Sequence, residues 1–366
     1  MTTESGDEIK VSSKKIKSIG SDPVKTAKAI NLVYVSDTEP GIVRVKQGDK
    51  FQYLFKDKKL VDDEEILRIK HLVIPPAWTN VWICSKANGH LQVTGIDVKG
   101  RKQYKYHADW NKFRNHTKFY RLLEFGKVLP QIRLQLERDL SGPTLGQEKV
   151  LAAVVSLMER TSIRVGNNFY EKLYGSFGLT TLKDKHVKIE GNNLKFTFIG
   201  KKGVPQDISL KNNKLSKIVK QCRDIPGKEL FQYFDENGGK HSIDSGMVNE
   251  YIKEICGGCD FTAKDFRTWA GTVHAFLSLK AIGCCETATE TKKRIIEALD
   301  SVSKHLGNTR TVCKKYYVHP LILTLYENKE LEKYTADLDK IEKNDGKTDL
   351  SPDEKIVMKI LESSPS

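Results

Sequence analysis

The spacing of apolar positions changes near residue 107. Ahead of it the runs are short and alternate: Ile42-Val43-Arg44-Val45 and Phe51-Gln52-Tyr53-Leu54-Phe55 flank Gln47-Gly48-Asp49-Lys50, a hairpin signal. Asp62 to Leu72 has helical spacing and must stop at Ile74-Pro75-Pro76, because proline cannot extend a helix. Val81–Cys84, Leu91–Ile96 and Lys102–Tyr106 read as further strands. Beyond residue 107 the period becomes helical, over 107–122, 126–139, 147–163 and 167–175, with proline and glycine between. A β interruption follows at Val187–Ile189, Leu194–Ile199, the turn Gly200-Lys201-Lys202-Gly203 and Ile208–Leu210. Helices resume from about Leu215 to Leu325. Leu350-Ser351-Pro352-Asp353-Glu354 is an N-cap signature opening a short amphipathic helix. No internal repeat interrupts this order.

The pattern predicts an α+β chain. A small β-rich N-terminal domain covers 31–107, and a mainly α-helical domain with a short antiparallel sheet covers 108–330. Residues 1–30 read as a flexible basic tail or short helix, and 331–366 as a polar segment with a short helix.

Composition narrows the partners. The net charge is +14, and between Gly95 and Arg121 eight Lys/Arg stand against two Asp. They are interleaved with Tyr104, Tyr106, Trp110, Phe113, Phe119 and Tyr120. Cations meet phosphates while rings reach bases and sugars, so the expected partner is nucleic acid. No run is apolar enough for a membrane helix, and the N-terminus lacks the apolar stretch of a signal peptide, so an intracellular protein is expected. Seven cysteines, an odd number, suit a reducing compartment. Cys256-Gly-Gly-Cys259 has metal-ligand spacing but no second pair to complete a tetrahedral site, so free thiols in a turn are expected.

Four islands carry candidate chemistry: Arg164 in Thr161-Ser162-Ile163-Arg164-Val165-Gly166-Asn167, Lys201 at the hairpin tip, Arg267 in Lys264-Asp265-Phe266-Arg267-Thr268-Trp269-Ala270, and Tyr317 in Cys313-Lys314-Lys315-Tyr316-Tyr317-Val318-His319-Pro320. Each alone has an ordinary reading as a helix cap, a turn lysine, a surface ion pair or a core ring. Their order, with Tyr317 nine residues after Asn308 in Gly307-Asn308-Thr309, resembles the poxvirus-like type IB DNA topoisomerases. So does Asp97-Val98-Lys99-Gly100-Arg101-Lys102-Gln103-Tyr104-Lys105-Tyr106. The likeness spans roughly residues 30 to 362.

The resemblance implies a clamp around duplex DNA in which Tyr317 attacks a phosphodiester, leaving a 3′-phosphotyrosyl enzyme and a free 5′-hydroxyl. It assigns Arg164 and Arg267 to the non-bridging oxygens, where permanently charged, planar guanidinium groups suit a pentacoordinate transition state. Lys201 becomes the general acid for the leaving oxygen, with Lys202 as competitor. Asn308 stands where poxvirus enzymes have histidine; its amide can donate to phosphate oxygen but carries no charge. Tyr317 precedes a hydrophobic residue and His-Pro as the family pattern requires, whereas Tyr316 is one residue short. Gln103, Tyr104 and Tyr106 match the family's DNA-touching strand. Lys99, Arg101, Arg114, Lys118 and Lys264 are further candidate contacts. On a strand Tyr104 and Tyr106 share one face while Gln103 points to the other, unless a bulge intervenes.

The implied activity is relaxation of positive and negative supercoils by a monomer, without ATP, metal or other cofactor; no phosphate-binding Gly-x-x-x-x-Gly-Lys-Ser/Thr loop occurs. Two alternatives share the charge pattern: a tyrosine recombinase, which usually has His-x-x-Arg where this chain has Lys264-Asp265-Phe266-Arg267, and a catalytically silent DNA-binding relative.

Overall fold

A computed structural model describes residues 22–48, 50–98, 100, 102–335 and 348–363, with the backbone alone at 115–118, 120 and 335. It divides into two compact units, Met1–Phe119 (with Ser366) and Tyr120–Pro365. Most of the tail expected over 1–30 lies outside the described residues. The part within them forms helix α1 (Pro23–Ala29), whose first N–H groups are taken by the Asp22 carboxylate.

The first unit is built on a six-stranded antiparallel sheet in the order β3-β2-β1-β4-β5-β6, where β1 is Ile42–Gln47, β2 Lys50–Phe55, β3 Lys58–Lys59, β4 Thr79–Ile83, β5 Leu91–Ile96 and β6 Lys102–Tyr106. β1 pairs with β2 from Ile42↔Phe55 to Gln47↔Lys50, so the hairpin closes where predicted, with Gly48 left-handed at φ 59°. Ile42, Val81, Ile83 and Val93 pack with Ile69 of helix α2 (Asp63–His71) to form the core of this unit. Asp62 caps α2, and the proline segment after it is pinned by Arg44, which donates to the carbonyls of Ile74, Pro75 and Trp78.

Helix α3 (Ala108–Leu140) carries the chain from the first unit into the second as one continuous helix, where two had been expected. Gly126 is not a break: a Cβ there would strike Met358 and Trp269, so the glycine marks a close approach of neighbouring elements. Packing also overrides Pro130, which costs the helix one hydrogen bond.

At the centre of the second unit is α4 (Gln147–Thr161), buried without interruption from Val150 to Met158. A helix apolar on all sides must lie inside a core. Around it come α5 (Asn168–Tyr174), a three-stranded antiparallel sheet of β7 (Val187–Glu190), β8 (Asn193–Ile199) and β9 (Pro205–Lys211), then α6 (Asn213–Arg223). A small hairpin, β10 (Gln232–Phe234) with β11 (Lys240–Ser242), interrupts the region expected to be wholly helical. The chain continues through α7 (Ser245–Ile255), α8 (Ala263–Ile282), α9 (Ala288–Leu306), α10 (Arg310–Tyr316), α11 (Pro320–Glu327), α12 (Leu331–Thr335) and α13 (Pro352–Glu362). Ser351 and Glu354 form the predicted cap of α13. Glu354 also joins Arg133 of α3 to the indole N–H of Trp269 on α8, fixing three helices at one buried carboxylate.

Cys256 is buried and donates its S–H to the carbonyls of Lys253 and Cys259. Among the described residues no helix is long and apolar enough to cross a membrane.

Candidate active site

Arg164 follows the end of α4. Ser162 stops that helix in the left-handed conformation, φ 54°, and its N–H returns to the Met158 carbonyl. The loop is then held from outside: the Arg164 carbonyl accepts from Leu179 and the Val165 carbonyl from Thr180. Gly178 permits this, since a Cβ there would lie 2.6 Å from the Arg164 carbonyl oxygen. With its backbone fixed, Arg164 sends Nη2 to the Gly307 carbonyl at 3.1 Å and to Asn308 Oδ1 at 2.5 Å.

Those acceptors lie in a turn whose every residue has a reason. Gly307, φ 57°, closes α9 in a Schellman arrangement, with its own N–H on Lys304 and that of Asn308 on Ser303. Thr309 caps α10 through Oγ1. Asn308 supplies the amide: because Oδ1 faces a guanidinium, its Nδ2 is turned away, and that N–H is buried without a partner.

Arg267 lies inside α8 and is 5% exposed. Nη1 donates to the Ser162 carbonyl and Nη2 to the Leu306 carbonyl at 2.7 Å, while Nε is buried without a partner. No acidic side chain among the described residues pairs with Arg164 or Arg267. Burial, followed by the charge of Arg267, lowers the Arg164 guanidinium to about 10; burial likewise lowers Arg267. At about 10, Arg164 remains protonated at neutral pH. Two close cations and two donors with no protein partner make a site whose chemistry suits an anion.

Tyr317 sits beside it, half-buried at the end of α10, with the Arg267 guanidinium 5.3 Å from its ring centre. Its backbone is held by α8: Thr272 Oγ1 donates to the Tyr317 carbonyl at 3.2 Å and accepts from the His319 N–H at 3.1 Å. A Cβ on Gly271 would lie 2.6 Å from that carbonyl oxygen and 3.0 Å from the Tyr317 Cβ, so α8 must carry glycine there. His319 caps α11 through Nδ1, with Pro320 in the first turn, giving the His-Pro pair a local structural reason. Tyr316, by contrast, is exposed and has Lys315 over its ring at 5.4 Å.

Arg164, Asn308 and Tyr317 line a cleft of about 560 Å³ together with Lys201, Lys202 and Gln206. The turn after β8 reaches it through Lys201–Gly203, with Lys202 and Gly203 both left-handed (φ 65° and 77°). Lys201 Nζ stands 5.4 Å from the ring centre of Tyr170 on α5. Lys202 is exposed on the same turn, so both lysine candidates border the cleft. Lys264, one turn before Arg267, is exposed, and the shared helix face does not bury it with the arginine.

In the first unit, Tyr104 and Tyr106 stack at 6.2 Å on one face of β6, as strand alternation predicts. Gln103 donates to Asp97 Oδ2 at 2.9 Å, Lys102 lies over the Tyr104 ring, and the Arg114 guanidinium is 6.0 Å from the Tyr106 ring centre. Trp110 and Phe113 are buried, correcting their reading as part of an exposed aromatic surface: they are the core face of α3. Lys99, Arg101 and the Lys118 side chain lie outside the described residues.

Sequence reasoning passed over Ser162, Gln206, Gly271, Thr272, His274 and His305. Gly271 alone had a usable signal, since glycine inside a helix costs stability and often marks a close approach.

Comparison with known proteins bears on the whole arrangement. The family profile "Eukaryotic DNA topoisomerase I, catalytic core" matches residues 102–345, and "Bacterial DNA topoisomerase IB, N-terminal domain" matches residues 50–97. A "DNA topoisomerase 1B" of Acanthamoeba polyphaga mimivirus is 35% identical over 296 residues, covering 79% of this chain and 88% of that protein. The "DNA topoisomerase 1B" of Vaccinia virus (strain Copenhagen) is 25% identical over 296 residues, covering 75% and 90%. A "DNA topoisomerase 1" of Mycosarcoma maydis is 23% identical over 214 residues, 54% of this chain and 20% of its own length.

Proposed function

The chain belongs to the type IB DNA topoisomerase family, and from that premise we propose that it relaxes supercoiled DNA of either sign by nicking and resealing one strand through Tyr317. The observation that carries this reading is the phenol beside a group of anion-binding donors: two guanidiniums without carboxylate partners among the described residues, and N–H donors on Arg267 and Asn308 that no protein group takes.

A backbone phosphate in that position meets donors already oriented. Tyr317 Oη bonds to phosphorus as the bond to the 5′ oxygen breaks, and the phenolic proton passes to water in the cleft. Arg164, Arg267 and Asn308 stabilise the charge that grows on the non-bridging oxygens, and preorganised donors do this without reorienting during the reaction. Lys201 protonates the departing 5′ oxygen; Lys202, on the same turn, is the competing donor. Guanidinium and ammonium groups supply the positive charge, so the chemistry calls for neither metal nor nucleotide. The energy of the phosphodiester is kept in the phosphotyrosine, and attack by the 5′-hydroxyl restores the strand after rotation.

The stacked Tyr104 and Tyr106, with Gln103, Lys99, Arg101, Arg114 and Lys118, form a second contact with the duplex, and exposed Lys264 adds a phosphate contact. All five groups of the site come from one chain, so a monomer suffices, acting on DNA inside the cell or in a virion.

Relaxation of supercoiled plasmid with excess EDTA and no ATP tests this reading. Wild-type protein is expected to relax both signs of supercoil and, on quenching with SDS, to remain bound covalently. Relaxation that strictly required ATP would overturn it.

A further inference from the structure

Arg267 is held between two backbone carbonyls that belong to different parts of the chain. Ser162 lies at the end of α4 and Leu306 at the end of α9, and the guanidinium donates to both. A second link joins the same two places: Ser162 Oγ and His305 Nε2 are 3.2 Å apart, and His305 is the residue immediately before Leu306. The His305 ring in turn stacks on His274 of α8, with centres 4.5 Å apart and planes 9° from parallel. His274 Nε2 is fixed by Ser301 Oγ at 2.9 Å. The chain Ser301–His274–His305–Ser162 therefore closes a frame around the Arg267 guanidinium, with α8 contributing both the arginine and the backing histidine.

We infer that His305 is a positioning residue for DNA cleavage: through Ser162 it sets the separation of the two carbonyls that aim Arg267 at the phosphate. The inference rests on the reading of Arg267 as a phosphate-clamping group. His305 lines the cleft and is exposed to solvent, so a purely space-filling role would tolerate an apolar side chain of similar size. What an apolar residue lacks is the bond to Ser162. Desolvation, then His274, then Arg267 lower the His305 imidazole, favouring the neutral ring beside the arginine charge. A misaligned Arg267 is expected to slow the step in which charge develops more than it weakens DNA binding.

The test is single-turnover formation of covalent adduct on a duplex oligonucleotide at saturating protein, with DNA affinity measured separately for each variant. His305→Leu and Ser162→Ala are each expected to slow cleavage about tenfold with affinity unchanged. The double variant should be no slower than either single one, since both remove the same link. His305→Gln, whose amide reaches the place of Nε2, should recover most of the rate. Melting temperatures identify any variant that has simply unfolded. An unchanged cleavage rate in folded His305→Leu, losses that add in the double variant, or a loss confined to affinity would each overturn the inference. Arg267→Ala runs alongside: if it cleaves at the wild-type rate, the fault lies in the reading of Arg267 and not in the role of His305.

Discussion

In the reading proposed above, Arg267 and Lys201 bring the same charge to one reaction, yet the fold treats them in opposite ways. Arg267 is buried in α8, both terminal nitrogens held by main-chain carbonyls at the ends of two other helices. Lys201 stands on an exposed turn between β8 and β9, against the ring of Tyr170. The difference suits the work proposed for each. A group that stabilises charge is most effective when its dipoles are fixed before the reaction, whereas a group that delivers a proton must meet an oxygen whose place changes as the bond breaks.

Removing the fixed group gives the largest expected effect. Arg267→Ala should slow adduct formation roughly 10²- to 10³-fold while DNA affinity stays near wild type. Arg267→Lys should recover little, because one ammonium cannot reach two carbonyls and a phosphate in the same plane. Full activity in Arg267→Lys would break the contrast.

Lys201→Ala should cost about 10²-fold on ordinary DNA. On a substrate whose 5′ leaving atom is sulfur, which departs without a proton, the loss should disappear. Lys202→Ala should leave the rate close to wild type. The reverse pattern would transfer the proton-donating role to Lys202.

A third change probes the scaffold without touching a charge. Gly271→Ala places a methyl carbon against the Tyr317 carbonyl, where backbone cannot yield, and should cost about 10²-fold through misplacement of the phenol. A wild-type cleavage rate in this variant would mean that α8 does not position Tyr317.

The smallest effect on chemistry, and the clearest on stability, belongs to Glu354. Burial alone would raise its carboxyl, but the hydrogen bonds and charge of Arg133 and the Trp269 N–H hold it below its ordinary range. The stabilisation is present above the unfolded carboxyl pKa and is lost as pH falls through the depressed folded value. Glu354→Gln should therefore lower stability at pH 7 by about 3 kcal/mol, as breaking a buried pair does. Its melting temperature should converge with wild type only once the pH has fallen below the depressed folded value, beneath the ordinary carboxylate range. A gap that persists unchanged at low pH would point to packing instead of charge.

Much of this was legible in the chain because the information is local. The alternation through β1 and β2, the Asp62 and Ser351 caps and the Gly200–Gly203 turn are decided by neighbours in sequence. The long helix α3 was not legible, since whether Gly126 breaks a helix depends on Trp269 and Met358, far along the chain. The β10–β11 hairpin did leave a signal, Asn237-Gly238-Gly239, but its strands are three residues each, too short to show a period. The candidate site residues stood out in the chain as islands in a resemblance. What holds them could not be: Thr272 under Tyr317, and the histidine stack between α8 and α9, exist only once the helices are packed.

Identifying the residue that carries DNA after an SDS quench tests the central claim most directly. The covalent adduct would be trimmed with nuclease and protease, and the modified peptide sequenced by mass spectrometry. A nucleotide on Tyr317, absent when Tyr317→Phe is used, is the expected result. Attachment to Tyr316, or an adduct that survives Tyr317→Phe, would contradict it.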